Sequence, residues 1–149
     1  VKALLQRVSR ASVSVDARCV GSIEQGLLVL LGLDKGDNCV TADRMLDKLL
    51  AYRVFADAEG RMNRSVAEVG GGVLLISQFT LSADTRKGLR PSFSSALPPE
   101  EAGPLFDHIL AQLQQRHPRV ASGVFGADMQ VSLVNDGPVT FLLEVQNDS

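Results

Sequence analysis

Two apolar runs, each entered through glycine, restrict this chain more than any other feature. Residues 26–33 read GLLVLLGL and residues 72–79 read GVLLISQF, with no alternation of apolar and polar positions. A strand with one wet face alternates with period two, so a continuous apolar run bounded by glycine predicts a strand covered on both faces. The remaining segments supply the covers. VKALLQRVS (1–9), SVSVDA (12–17) and CVGSI (19–23) read as strands, the second with clear period-two alternation. Ala42, Met45, Leu46, Leu49, Leu50 and Val54 recur at helical spacing and predict an amphipathic helix over about 39–54. Ala102, Leu105, Phe106, Ile109, Leu110 and Leu113 mark a second helix. Pro98-Pro99-Glu100-Glu101 suits its first turn. Pro104 removes one helical hydrogen bond, so the helix either begins near residue 103 or has a distorted first turn. RMNRSVAEVGG (61–71) reads as irregular, and VASGVF, DMQVSLV and VTFLLEV as the last strands.

The order strands, helix, strand, helix, strands predicts a mixed α/β fold. Its two main helices pack on one face of the sheet in a three-layer α/β/β arrangement, within a single domain spanning 1–149. A dinucleotide-binding fold is excluded, because GDNCVTAD (36–43) lacks the glycine-rich strand-to-helix turn that fold needs.

Composition narrows function mainly by exclusion. The net charge is −2, so any contact with nucleic acid rests on a local basic patch rather than on a polycationic surface. The longest apolar run, LLVLLGL (27–33), is too short to span a bilayer, and the charged opening VKALLQRVSR does not read as a signal peptide. A soluble, cytosolic protein is expected, with no membrane partner. Cys19 and Cys39 form no disulfide framework or metal set and are expected to be small buried or half-buried residues. His108 reads as part of a solvated helix face and His117 as a charge at a helix C-terminus. No HExxH, EF-hand, GxSxG or P-loop pattern occurs, so neither metal nor cofactor is expected.

Three polar segments stand out. In SQFTL (77–81) a buried strand ends in Ser77, Gln78, Phe79 and Thr80. Its ordinary reading is a strand leaving the core with hydroxyls on loose backbone groups; the functional reading is a strand end that offers hydroxyls and amides to a ligand. DTRKGLRPSF (84–93) carries Arg86, Lys87 and Arg90, either as a solvated charged loop or as a phosphate site. NDGPVT (135–140) reads first as a hairpin turn, although a tight two-residue hairpin favours Asn-Gly or Asp-Gly without proline.

SQFTL and NDGPVT, with QRVSRASV at the start and LRPSF after the first motif, resemble the D-aminoacyl-tRNA deacylase family from end to end. The resemblance implies hydrolysis of the ester joining a D-amino acid, and by extension glycine, to the 3′ end of tRNA. It implies a homodimer in which a cis Gly137-Pro138 enters the partner's site, with Arg7 steadying that loop across the interface. It places Ser77, Gln78, Phe79 and Thr80 at the chemistry and Phe125 and Met129 on the pocket wall. Read without the resemblance, Phe125 and Met129 would be core. It also implies that the tRNA 2′-OH assists hydrolysis, with no DNA partner, and that the Pro98-Pro99 helix lies away from the functional region. Two alternatives stay open: a non-catalytic dimer that binds tRNA or protein, and an esterase with Thr80 or Ser77 as nucleophile.

Overall fold

The computed structural model describes residues 1–147. The chain begins with β1 (Lys2–Val15), β2 (Arg18–Ile23) and β3 (Gly26–Gly32), then α1 (Cys39–Ala51). A small ribbon of β4 (Phe55–Ala56) and β5 (Met62–Arg64) and the short helix α2 (Val66–Val69) lead into β6 (Gly72–Ser77). A 3₁₀ turn (Phe79–Ser82), α3 (Pro99–Arg116), β7 (Val120–Ser122) and β8 (Gln130–Glu144) complete it.

The main sheet runs β2-β1-β3-β6-β7, with β8 on the free side of β1. β3 and β6 are the two apolar runs; they pair in parallel, from Gly26 opposite Gly72 to Leu31 opposite Ser77. Both are covered on both faces, as their composition requires. On one face, Leu27, Val29, Leu31, Val73 and Leu75 meet Met45, Leu46 and Leu49 of α1 and Phe106, Ile109 and Leu113 of α3. On the other, Leu28, Leu74 and Ile76 meet Val8, Ala11 and Val13 of β1, with Met129 and Val131 at the margin. Each such leucine or isoleucine withdrawn from water contributes roughly 1.5–3 kcal/mol before chain entropy is charged against it.

The second cover exists because β1 is long. Its first half pairs with β3 and its second half with β2, so the far half folds back over the sheet that it helps to start. β2 then crosses β7 so closely that a Cβ on Gly21 would lie 2.8 Å from the Ser122 carbonyl oxygen. The layers are therefore helices, sheet and folded-back strands, the α/β/β order expected from the sequence, and VKALLQRVS and SVSVDA belong to one strand.

Local chemistry sets the helix ends. Asn38 caps α1, accepting from the Val40 and Thr41 amides at 3.0 and 3.1 Å while Thr41 Oγ1 accepts from the Asn38 amide. Such a cap is worth about 1 kcal/mol. The helix ends at Ala51, short of the expected 54, because Tyr52 turns to an extended conformation. α3 starts at Pro99, with the Glu101 and Ala102 amides bonded to the Pro98 carbonyl, so Pro104 lies inside the helix. Residues 61–71 are not irregular: Ser65 and Glu68 form a reciprocal capping box that nucleates α2.

NDGPVT does not reverse the chain. Both flanks belong to β8 and pair with β1, Gln6 opposite Thr140 and Val8 opposite Asn135. Two steps along β1 (6 to 8) thus match five along β8 (135 to 140), and the surplus residues bulge outward. Asn135 closes the bulge: its Oδ1 accepts from the Val139 amide at 2.7 Å and its Nδ2 donates to Thr140 Oγ1 at 2.9 Å. Three other expectations change. Cys19 and Cys39 are both exposed thiols. His117, read from sequence as a helix-end charge, is buried, with its Nε2 hydrogen-bonded to the Gly71 carbonyl at 2.7 Å. His108 is half-buried and bonds Asp43 at 3.1 Å. The tail QNDS (146–149) reads from sequence as a frayed end; Asn147 instead donates to the Gly36 carbonyl at 3.1 Å, and Asp148 and Ser149 lie outside the described residues.

Candidate active site

Parallel strands tend to leave a crevice beyond their carboxyl ends. Here β6 stops at Ser77, and a cavity of about 680 Å³ opens there, within the usual size of a ligand pocket. Ser77, Gln78 and Phe79 line it together with Phe125 and Met129, five of the residues singled out from sequence. Most of the rest of the wall is apolar: Leu31, Leu33, Ile76, Leu97, Ala102 and Val131 among others. Phe125 is half-buried against Phe106, ring centroids 5.8 Å apart, so it is both core and wall. Phe79 is 60% exposed and packs against Phe93 at 5.1 Å across the pocket's edge.

The chain leaves β6 through the 3₁₀ turn. Its first internal bond runs from the Leu81 amide to the Gln78 carbonyl at 3.2 Å. The Phe79 and Thr80 amides precede that bond, so the turn geometry leaves both without an internal acceptor. The Gln78 amide is already used, donating to the Leu31 carbonyl at 2.7 Å. Thr80 itself is not on the pocket wall, and its hydroxyl accepts a hydrogen bond from Gln78 Nε2. No histidine lines the pocket; Lys35 is the single ionisable side chain among the described lining residues. No group of three or more metal-ligating side chains occurs among the described residues.

Arg7, Gly137 and Pro138 lie apart from this pocket. Arg7 and Asp136 line a second, polar cavity of about 330 Å³ together with Arg64 and Gln25. The Arg7 guanidinium spans two carbonyls: Nε donates to Asp136 at 2.9 Å and Nη1 to Val54 at 2.7 Å. It therefore holds the bulge of its own chain. The Gly137-Pro138 peptide is cis, and Gly137 has φ +137°, a conformation that disfavours any side chain. A Cβ there would also approach the Arg7 guanidinium to 2.9 Å.

In the 84–93 loop the three cations differ. Asp84 takes a bidentate contact from Arg86, Nε at 3.0 Å and Nη2 at 2.8 Å. The side-chain and main-chain donors of Arg86 hold the Asp84 carboxyl at about 2. Arg86 is thus already matched, whereas Lys87 and Arg90 are exposed. Sequence reasoning missed the opposite wall of the large pocket, formed by Phe93, Ala96, Leu97, Pro98 and Pro99. This corrects the expectation that the Pro98-Pro99 helix lies away from the functional region: its first turn is pocket wall. Nothing local signals that, because α3 reaches the site only through the fold.

A mixed α/β/β protein with a largely apolar cavity at a parallel strand end, edged by the Ser77 hydroxyl and the Gln78 amide, has the form of a small-ligand pocket. The chain belongs to the D-Tyr-tRNA(Tyr) deacylase family, which it matches over residues 4–144. It is 63% identical over 142 residues to the D-aminoacyl-tRNA deacylase of Cellvibrio japonicus (strain Ueda107), covering 95% of this chain and 97% of that one. To the enzyme of the same name from Stutzerimonas stutzeri (strain A1501) it is 60% identical over 144 residues, covering 97% and 99%. A solved structure described as c-Myc DNA Unwinding Element Binding Protein superposes with TM-score 0.94 at 39% identity, covering 99% of this chain and 100% of that one. Another, described as a probable eukaryotic D-amino acid tRNA deacylase, shares the fold with TM-score 0.78 at 18% identity, over 95% and 97%.

Proposed function

We propose that this chain, residues 1–149 acting as one domain, hydrolyses the ester of D-aminoacyl-tRNA and of glycyl-tRNA, releasing free tRNA. One observation carries the reading: the cavity is lined by Ser77, Gln78 and Phe79, whose amide is open and is followed just off the wall by the open Thr80 amide, with no histidine or carboxylate on its described wall. An aminoacyl ester is already activated, so it needs oxyanion stabilisation and a placed water more than a strong nucleophile. The Phe79 and Thr80 amides supply donors worth about 3 kcal/mol each where the carbonyl charge develops. Ser77 and Gln78 position the reacting end, and Phe125 and Met129 shape the wall. The 2′-OH of the terminal adenosine assists the water. Thr80 orders Gln78 rather than attacking, since its hydroxyl is engaged there.

Chirality is read by a second copy of the chain. Among the described residues β8 pairs with β1 alone and forms a sheet edge, which exposes Leu133, Val134, Phe141 and Leu142 beside the bulge. That edge suits a homodimer in which Gly137-Pro138, held by Arg7, enters the partner's cavity. Main-chain carbonyls there hold the substrate's α-ammonium; a D side chain points outward and an L side chain meets the wall. Glycine has nothing to clash and is accepted. Lys87 and Arg90 face acceptor-stem phosphates, with Arg86 shaping the loop. Among the described residues no helix is long and apolar enough to cross a membrane, and two free thiols suit a reducing cytoplasm.

The test is hydrolysis of D-tyrosyl-tRNA ending in adenosine or in 2′-deoxyadenosine, by wild type and Thr80→Ala. The reading predicts that wild type and Thr80→Ala both cleave the ordinary ester and that neither cleaves the deoxy one. Equal cleavage of both esters, abolished by Thr80→Ala, would point to a threonine nucleophile. Binding of both without turnover would leave a tRNA-binding module.

A further inference from the structure

Lys35 is the one ionisable group on the described wall of the large pocket, and the chemistry above gives it no task. Its main chain is pinned: the Lys35 amide donates to the Ser95 carbonyl at 3.0 Å, and Asp34 bridges to Ala96. The turn that carries Lys35 is thereby stitched to the wall formed by Phe93, Ala96 and Leu97. Lys35 is an exposed residue, and the neighbouring acids are engaged elsewhere. Asp34 is bonded by Lys2 Nζ at 3.0 Å, and Asp37 accepts from the Thr41 hydroxyl at 3.1 Å and from the Asp34 amide at 2.7 Å. Among the described residues no carboxylate pairs with Lys35.

An unmatched cation held at a largely apolar cavity suits a ligand with a flat apolar body and an anion at one end. A 3′-terminal adenosine has that form, with its base and ribose joined to the rest of the RNA by the 5′-phosphate. The geometry points to Lys35 as the residue that binds this phosphate while the nucleoside occupies the cavity. The inference rests on the deacylase reading and deepens it. Lys35 separates a nucleoside that ends an RNA from one that is free, which Phe125, Met129 and the amides cannot do. A lysine suits the task as a point charge on a flexible stem, which tolerates the turning of a phosphodiester.

The experiment uses three D-tyrosyl esters: 3′-O-tyrosyl-adenosine, its 5′-monophosphate, and the tRNA. Wild type should show a KM about three- to tenfold lower for the monophosphate than for the nucleoside, the range for an exposed to partly desolvated ion contact. Lys35→Gln should lose that preference, Lys35→Arg should restore it, and Lys48→Gln, in the exposed last turn of α1, should keep it. Titration calorimetry with adenosine and adenosine 5′-monophosphate reads the same contrast as affinities, with no turnover required. A Lys35→Gln protein that keeps the wild-type preference, or that loses equally on nucleoside and monophosphate, would overturn the assignment. Failure of wild type to cleave any of the three esters would instead overturn the deacylase reading, with the calorimetric contrast still deciding Lys35.

Discussion

Arg7→Lys keeps the positive charge and removes the fork, so it isolates what the fork does. Arg7 reaches from β1 to the Val54 carbonyl, just after α1, and to the Asp136 carbonyl, one residue before Gly137. A lysine ammonium can satisfy one of these. Loss of one half-exposed bond from a charged donor costs about 1.5 kcal/mol, allowing for solvent. For a protein of this size that lowers Tm by roughly 3–6 °C. The effect on activity should be larger than stability explains. Released from its tether, the bulge must be fixed again on substrate binding, at about 1–2 kcal/mol for each of Gly137 and Pro138. The expected fall in kcat/KM for D-tyrosyl-tRNA is therefore ~30-fold or more. The assay is initial-rate deacylation at 25 °C, where the variant is still folded, beside a thermal melt. A lowered Tm with kcat/KM within twofold of wild type would refute the claim that Arg7 positions a working loop.

Other perturbations test other links. Gly26→Ala would place a Cβ 1.9 Å from the Gly72 carbonyl oxygen on the adjoining parallel strand; a loss of ~3 kcal/mol or more in urea denaturation is expected, and a near-neutral result would contradict the strand register. The Asp84 carboxyl, held down by its hydrogen bonds from Arg86, should titrate by NMR at about 2 and move up towards 3.8 in Arg86→Gln. Because the folded value is the depressed one, the tether is fully present above the ordinary carboxyl range. It is lost only as pH falls through about 2, so the loop keeps its shape at neutral pH. Removing Lys87 and Arg90 together should make the salt dependence of tRNA binding shallower by about 1.4–1.8 in log–log slope, and an unchanged slope would dismiss the phosphate contact.

How much of this was legible before the fold was known depends on range. The doubly covered strands were readable because an unbroken apolar run has few ways to be satisfied, and both helices followed from their stripes. The α2 capping box was also written in the sequence as Ser65-Val66-Ala67-Glu68, and went unread because the helix is only four residues long. Composition alone made NDGPVT read as a hairpin turn for a physical reason, whereas the family resemblance implied the cis Gly137-Pro138 bond that the chain has. Turn residues report that the chain leaves the strand, and they do not report whether it comes back to the same neighbour. Asn135, whose side chain closes the bulge, is the residue that distinguishes the two. Ser77 and Gln78 could be found because polar residues ending a buried strand are conspicuous, and Phe79 only because it stands inside the SQFTL motif. Lys35, Phe93 and Pro99 could not, since each is ordinary locally and meets the pocket only through long-range packing.

The most direct test of the account is deacylation of matched D- and L-tyrosyl-tRNA by the purified protein, with a chelator present. The account predicts rapid loss of the D ester alone, unaffected by the chelator. Equal loss of both esters would contradict the chiral role given to Gly137-Pro138, and loss of neither, with tRNA still bound, would contradict the catalytic role given to the β6 strand end.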